Sequence, residues 1–137
     1  GLWKFGNDWV FDSRLSYTYQ KAQDFTDKSD KDTYGGQISY IPWHSGSAIL
    51  NAGYKSWELN YSFIYTGERY DVSANTPENY RLPWYTSDFS LAKKFSWRKY
   101  DFKLTLEVNN IFNQQYEVVR SYPMPGTNFK FILNLTI

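Results

Sequence analysis

Phe129 to Ile137 reads FKFILNLTI. Taken every second residue, Phe129, Phe131, Leu133, Leu135 and Ile137 fall on one side, and Lys130, Ile132, Asn134 and Thr136 on the other. Successive side chains of a strand point to opposite faces, so this spacing predicts a strand with one uninterrupted apolar face. The same alternation recurs upstream. Phe102, Leu104, Leu106 and Val108 oppose Lys103, Thr105, Glu107 and Asn109; Phe89, Leu91 and Phe95 oppose Asp88, Ser90, Ala92 and Lys94. Trp57, Leu59, Tyr61, Phe63 and Tyr65 oppose Glu58, Asn60, Ser62 and Thr66. Ala48, Leu50, Ala52 and Tyr54 oppose Ser47, Ile49, Asn51 and Gly53, and Phe11, Leu15, Tyr17 and Tyr19 oppose Asp12, Arg14, Ser16 and Thr18. Lys93 interrupts an apolar side near a strand end, where its ammonium can snorkel to headgroups. The expectation is about six strands, a remnant at Leu2–Phe5 before a turn at Gly6–Asp8, and no helix, because no segment keeps a 3.6-residue period.

The connections alternate in length. Long polar loops hold DFTDKSDKDT (Asp24–Thr33), a stretch from Glu68 to Pro83, and YPMPG (Tyr122–Gly126), while short turns lie at Lys55–Ser56 and within SWRKY (Ser96–Tyr100). Outer-membrane barrels show this asymmetry, with short periplasmic turns and longer extracellular loops.

Composition bears on the same choice. The 137 residues carry a net charge of +1, so no pull toward nucleic acid is implied, and the absence of cysteine excludes disulfides and thiolate metal sites. Mean hydropathy is −0.64, and no run approaches the roughly 20 apolar residues of a membrane helix. Yet aromatics reach 21%, with 13 Tyr, 10 Phe and 6 Trp. Such a content suits the aromatic girdles of a transmembrane barrel, whose alternation hides its hydrophobicity from any averaged scale. A soluble lipocalin-like barrel or sandwich also alternates. However, it would have to fill a narrow interior with these rings while exposing Arg14, Glu58, Asp88, Lys103, Glu107 and Lys130 on the other parity. A wide barrel accommodates both sets. The predicted membrane-facing residues are Leu59, Tyr61, Phe63, Phe89, Leu91, Leu104, Leu106, Val108, Phe131, Leu133 and Leu135, and the charged six are the predicted lumen wall.

An open sheet of this size would show unpaired N–H and C=O groups to hydrocarbon, at several kcal/mol each. Residues 1–137 are therefore expected to be the C-terminal part of a longer all-β, antiparallel up-and-down transmembrane barrel. Phe129, Phe131, Leu133, Leu135 and Ile137 would then form a terminal signal for the barrel assembly machinery.

Leu106 to Ile137 resembles the end of TonB-dependent outer-membrane receptors. Asn110, Ile111, Phe112, Asn113 and Tyr116 match that family's Asn-hydrophobic-Phe/Leu-Asn-x-x-Tyr segment, and Tyr122, Pro123, Pro125 and Gly126 match its last turn. IPWHSGSAILNAGY (Ile41–Tyr54) and YTGERY (Tyr65–Tyr70) resemble its Pro-x-His and Tyr-x-Gly-x-Arg segments. Two departures are Ile137, where the family usually ends on an aromatic residue, and Thr127, where it usually has Arg. QQYEVV and PMPGTNFKF are most similar to the cobalamin-receptor branch.

The resemblance implies a barrel of about 22 strands around an N-terminal plug that is not present in this chain. It also implies a Gram-negative outer-membrane location and binding and gated import of a large scarce nutrient, with cobalamin or a related corrinoid favoured. A siderophore or haem is the alternative. The implied partners are TonB through the plug, outer-membrane lipid, the barrel assembly machinery and a surface lipoprotein. A passive porin, an adhesion barrel and a soluble binding domain remain the readings from other classes.

No catalytic residue, cofactor or metal site is expected. His44 has no nucleophile or orienting partner in a triad-like spacing, and the motif match makes it a rim residue. Asp24, Asp27, Asp30 and Asp32 could offer oxygens to calcium, but Lys28 and Lys31 stand among them, and a solvated loop is the plainer reading. Trp43, Tyr80, Trp84, Tyr85 and Tyr122 are expected near the outer ends of strands. There they serve either as an interface girdle or as a stacking surface for a large planar ligand, with Arg69, Arg81 or Arg120 adding charge. The ligand-binding set is Trp43, Tyr80, Arg81, Trp84 and Tyr122. Gly35, Gly36 and Gly126 are read as turn residues.

Overall fold

The structure, a computed structural model, describes residues 1–5 and 8–136, excluding the side chain of Phe5. The predicted turn at Gly6–Asp8 and the last residue of the proposed assembly signal, Ile137, lie wholly or partly outside the described residues. The strands are β1 (Leu2–Phe5), β2 (Trp9–Tyr19), β3 (His44–Tyr54), β4 (Trp57–Thr66), β5 (Arg69–Tyr70), β6 (Tyr80–Arg81), β7 (Trp84–Trp97), β8 (Tyr100–Asn109), β9 (Glu117–Val119), β10 (Tyr122–Pro123) and β11 (Asn128–Thr136). Seven of them form one antiparallel sheet in the order β1-β2-β3-β4-β7-β8-β11, a meander in which each long strand pairs with the next long strand in the chain. The chain is an all-β barrel segment. Apart from β1, its sheet strands run 9 to 14 residues, against the roughly 9–11 that a tilted strand needs to cross a bilayer.

Register carries the alternation across the whole sheet. Ala52, Leu59, Leu91, Leu106 and Phe131 form one transverse row, and Leu50, Tyr61, Phe89, Val108 and Phe129 the next. Leu104 and Leu133 share the row of Trp57 and Lys93, while Phe102 and Leu135 share that of Phe95. Phe63 stands opposite Ala48 on the same face. Arg14, Glu58, Asp88, Lys103, Glu107 and Lys130 all fall on the other parity, so the two predicted sets occupy opposite faces of one sheet.

The two faces are held differently. On the polar face, Asn51 donates to Asp12 at 3.2 Å, Asn60 donates to Asn51, and Ser90 donates to Asn60 at 3.1 Å, a ladder spanning four strands. Glu58 receives Lys94 at 2.5 Å and Lys103 at 2.6 Å. The apolar face has no covering layer. Leu106 is 54% exposed and Phe131 66% exposed, and the one buried apolar residue among those described is Ala92, on the polar side between Glu58 and Thr105. A soluble β domain buries its rings; this sheet presents them.

The long loops are more ordered than their composition suggests. Glu68–Pro83 contains the paired strands β5 and β6 and a 3-10 turn at Pro77–Asn79, and the last loop contains the β9–β10 hairpin. In the acidic loop Asp24, Asp27 and Asp30 each accept the backbone N–H two residues on. The Thr26 and Ser29 side-chain hydroxyls, together with those backbone bonds, hold the Asp24 and Asp27 carboxyls below their ordinary range. His44 opens β3, where its Nδ1 meets the Tyr17 hydroxyl at 2.7 Å and its carbonyl accepts Gly67 N–H at 2.8 Å, closing the entry to the second loop.

Candidate functional site: a cleft between the second and third long loops

The site begins with an asparagine turn. Asn110 follows β8 directly with a left-handed φ of 50°, which asparagine tolerates, and Asn113 follows at 49°. The Asn110 side chain is 4% exposed and fully engaged. Its amide donates to the carbonyls of Gln114 at 2.9 Å and Pro125 at 3.1 Å, and its oxygen accepts Gln114 N–H at 2.9 Å. Its backbone N–H reaches Asp88 at 2.8 Å, and its carbonyl accepts the Thr127 hydroxyl at 2.8 Å. One side chain thus binds both ends of the third loop. A Cβ on Gly126 would lie 2.5 Å from Asn113 Oδ1, so a side chain there would displace the Asn113 amide, which also accepts Thr127 N–H at 3.2 Å.

The second loop is tied to the third through buried charge. Arg69 is 3% exposed and donates to the Glu117 carbonyl at 2.6 Å. Burial, with Arg81 close by, pulls its guanidinium below the ordinary arginine range. Asp71, 4% exposed, accepts Arg81 through Nε at 2.8 Å and also through Nη2, and Arg120 of the third loop stands 3.6 Å from the same carboxylate.

Between these loops lies a cleft of about 430 Å³ with walls that include Tyr80, Arg81, Trp84, Gln114, Tyr116 and Glu117. Trp84 stacks on Tyr116 with ring centroids 4.4 Å apart, and its indole N–H is buried with no partner. Tyr80 donates to Glu68 at 2.9 Å, which raises its phenol above the ordinary range; burial raises that of Tyr116. Both phenols are therefore neutral donors near neutral pH. The Arg81 charge is already matched by Asp71. The cleft offers flat rings, the Tyr116 phenol and the Gln114 and Gln115 amides, and its own arginine, Arg81, is paired with Asp71.

Of the residues expected to bind ligand, Tyr80, Arg81 and Trp84 meet in this cleft. Tyr122 does not line it and is 71% exposed on β10, beside the lining residue Pro123. Trp43 lies at the end of the first loop under the Lys21 ammonium, 5.3 Å from its ring, also with an unpartnered buried indole N–H. Tyr85 is the second residue of β7, at a strand end, on the apolar face opposite Tyr65 and outside the cleft. Sequence reasoning did not single out Gln114 and Gln115 or the buried carboxylate Asp71. Three arginines among the loops and their need of a counter-ion were the available signal for Asp71.

Residues 2–111 match the family model described as TonB dependent receptor-like, beta-barrel. The chain belongs to the TonB-dependent receptor family. The match covers β1 to β8 and stops at Ile111, so most of the third loop and β11 lie beyond it. No curated protein matches the chain. As a TonB-dependent receptor barrel, the sheet belongs to an outer-membrane β-barrel of a family that serves TonB-dependent transport.

Proposed function

We propose that this chain is the C-terminal wall of an importer for a large, neutral, amide-rich nutrient, with cobalamin or a related corrinoid as the first candidate. The apolar face meets lipid, and the polar ladder lines the lumen against the plug. The long loops face outside the cell, and TonB acts through the plug. The observation that carries the ligand reading is the cleft's chemistry. Its rings offer flat stacking surfaces, and the amides of Gln114 and Gln115 offer neutral donors and acceptors. Ferric siderophores and haem commonly present anionic groups, which call for an unmatched cation. Arg81, the arginine that lines the cleft, is turned onto Asp71 instead. A corrin ring fringed by carboxamides needs stacking surface and neutral donors and acceptors, which Trp84, Gln114, Gln115 and Tyr116 supply.

Isothermal calorimetry on the complete receptor tests this with cyanocobalamin, a ferric catecholate and haem as separate titrants. Binding of cyanocobalamin alone supports the reading. Binding of the catecholate or haem alone moves the assignment to the second ligand class.

A further inference from the structure

On the apolar face, far from the ligand cleft, a hollow of about 560 Å³ is walled by Trp3, Phe11, Leu50 and Leu59, with Ser13 and Ala52 also lining it. Ala52 stands in register between Phe11 and Leu59, so its methyl sets a low floor between larger side chains. One row nearer the short turns come Trp9, Tyr54, Trp57 and Lys93. Trp9 stacks on Tyr54 at 4.3 Å, Lys93 Nζ lies 4.6 Å from the Trp57 ring centre, and Lys55 Nζ lies 5.2 Å from that of Tyr54. At the next short turn Arg98 and Lys99 sit over Trp97 and Tyr100 at 5.2 and 5.3 Å. Among the described residues, the carboxylate within ion-pairing distance of any of these four cations is Asp8, 3.9 Å from Lys55. The other end of this face carries Tyr17, Tyr19, Tyr65 and Tyr85, and among the described residues no Lys or Arg sits over those rings.

We propose that this hollow and its basic rim seat one anionic diacyl phospholipid, with the phosphate and acidic headgroup between Lys55 and Lys93 and an acyl chain over Ala52. Adjacent same-face rows of a strand are about 6.6 Å apart, which suits the step from a lipid phosphate to the first acyl carbons. Aromatic rings mark the boundary between hydrocarbon and headgroups, and basic residues beside it attract anionic lipid. A zwitterionic headgroup brings its own ammonium to this rim and gains less. The proposal rests on the apolar face meeting lipid.

The test uses the complete receptor in mild detergent, with native mass spectrometry after exposure to equimolar dioleoyl phosphatidylglycerol and dioleoyl phosphatidylethanolamine. Retention of one phosphatidylglycerol, favoured about tenfold, is expected from two basic contacts partly offset by Asp8. The double variant Lys55→Gln, Lys93→Gln should lose the preference. Ala52→Phe, which fills the hollow, should reduce retention of the dioleoyl lipid but not of dihexanoyl phosphatidylglycerol. Equal retention of the two dioleoyl lipids by the unmodified receptor overturns the proposal whether or not the variants fold, as does a preference that survives both variants. Flotation with phosphatidylethanolamine vesicles reads the underlying membrane assignment separately: a receptor that floats without discriminating headgroups refutes the lipid seat alone, and one that does not float refutes both.

Discussion

Replacing Leu106 by Arg places a charge in the middle of the apolar face. Leu106 is six residues into β8 from Tyr100, about 20 Å along the strand. At a tilt near 40° this corresponds to roughly 15 Å of height in an apolar band about 25 Å tall, close to the midplane. In register it has Leu91 on one side and Phe131 on the other, so the sheet offers no counter-ion there. An arginine at that depth costs about 2–4 kcal/mol. The control is its neighbour, Glu107→Gln on the opposite face, which loses a pair to Lys130 held at 3.7 Å. That pair is partly exposed and is worth about 0–1 kcal/mol. The difference of about 2–3 kcal/mol amounts to roughly a 30- to 150-fold change in the folded-to-unfolded ratio. Urea titration of the complete barrel in phospholipid vesicles, followed by the heat-dependent gel shift of the folded form, measures both variants. Equal midpoints for Leu106→Arg and Glu107→Gln would show that the apolar face does not meet lipid, and the importer reading would fail with it.

Three further substitutions test the loops. Asp71→Asn removes the carboxylate shared by Arg81 and Arg120; both arginines keep access to water, so the loss is that of charge-assisted hydrogen bonds, about 1.5–3 kcal/mol locally, and amide exchange at Glu117–Val119 should accelerate while the sheet strands stay protected. Trp84→Ala removes the ring that stacks on Tyr116 and forms part of the cleft wall; affinity for cyanocobalamin should fall about tenfold, on the order of one aromatic stacking contact, while the sheet strands keep their exchange protection. Gly67→Ala would set a Cβ 2.7 Å from the His44 carbonyl; the backbone must shift, and a loss of about 1–3 kcal/mol should appear as a lower urea midpoint.

Residue periodicity made the sheet legible because a two-faced strand obeys a local rule. Phe129 to Leu135 alternate whatever they pair with, and the loop lengths then order the strands. Even the exception at Lys93 could be anticipated, since its stem lies on the apolar face and its ammonium rests on Trp57. The cleft was legible only in part, because what brings Tyr80, Trp84 and Tyr116 together is not local. Arg69 and Arg81 read as free cations in a polar loop, yet one is buried against the third loop and the other is paired with Asp71. Nothing in the spacing of Asp71, Arg81 and Arg120 announces that contact; only the sheet, by placing the two loops side by side, creates it.

The distribution of burial follows from the two solvents the chain serves. Among the described residues the least exposed polar groups are Gln37, Arg69, Asp71, Thr86, Ser87 and Asn110, while Leu15 and Phe129 are each 76% exposed. Buried polar groups in water-soluble proteins are kept by hydrogen bonds within an apolar core. Here the apolar residues have gone to the outside, and the polar groups hold themselves together around Asn110 and Asp71. A loop assembled from such contacts is directional: each bond has one partner and one geometry, whereas apolar packing tolerates sliding. Arg69 against the Glu117 carbonyl and Arg120 near Asp71 therefore couple the second loop to the third as one body.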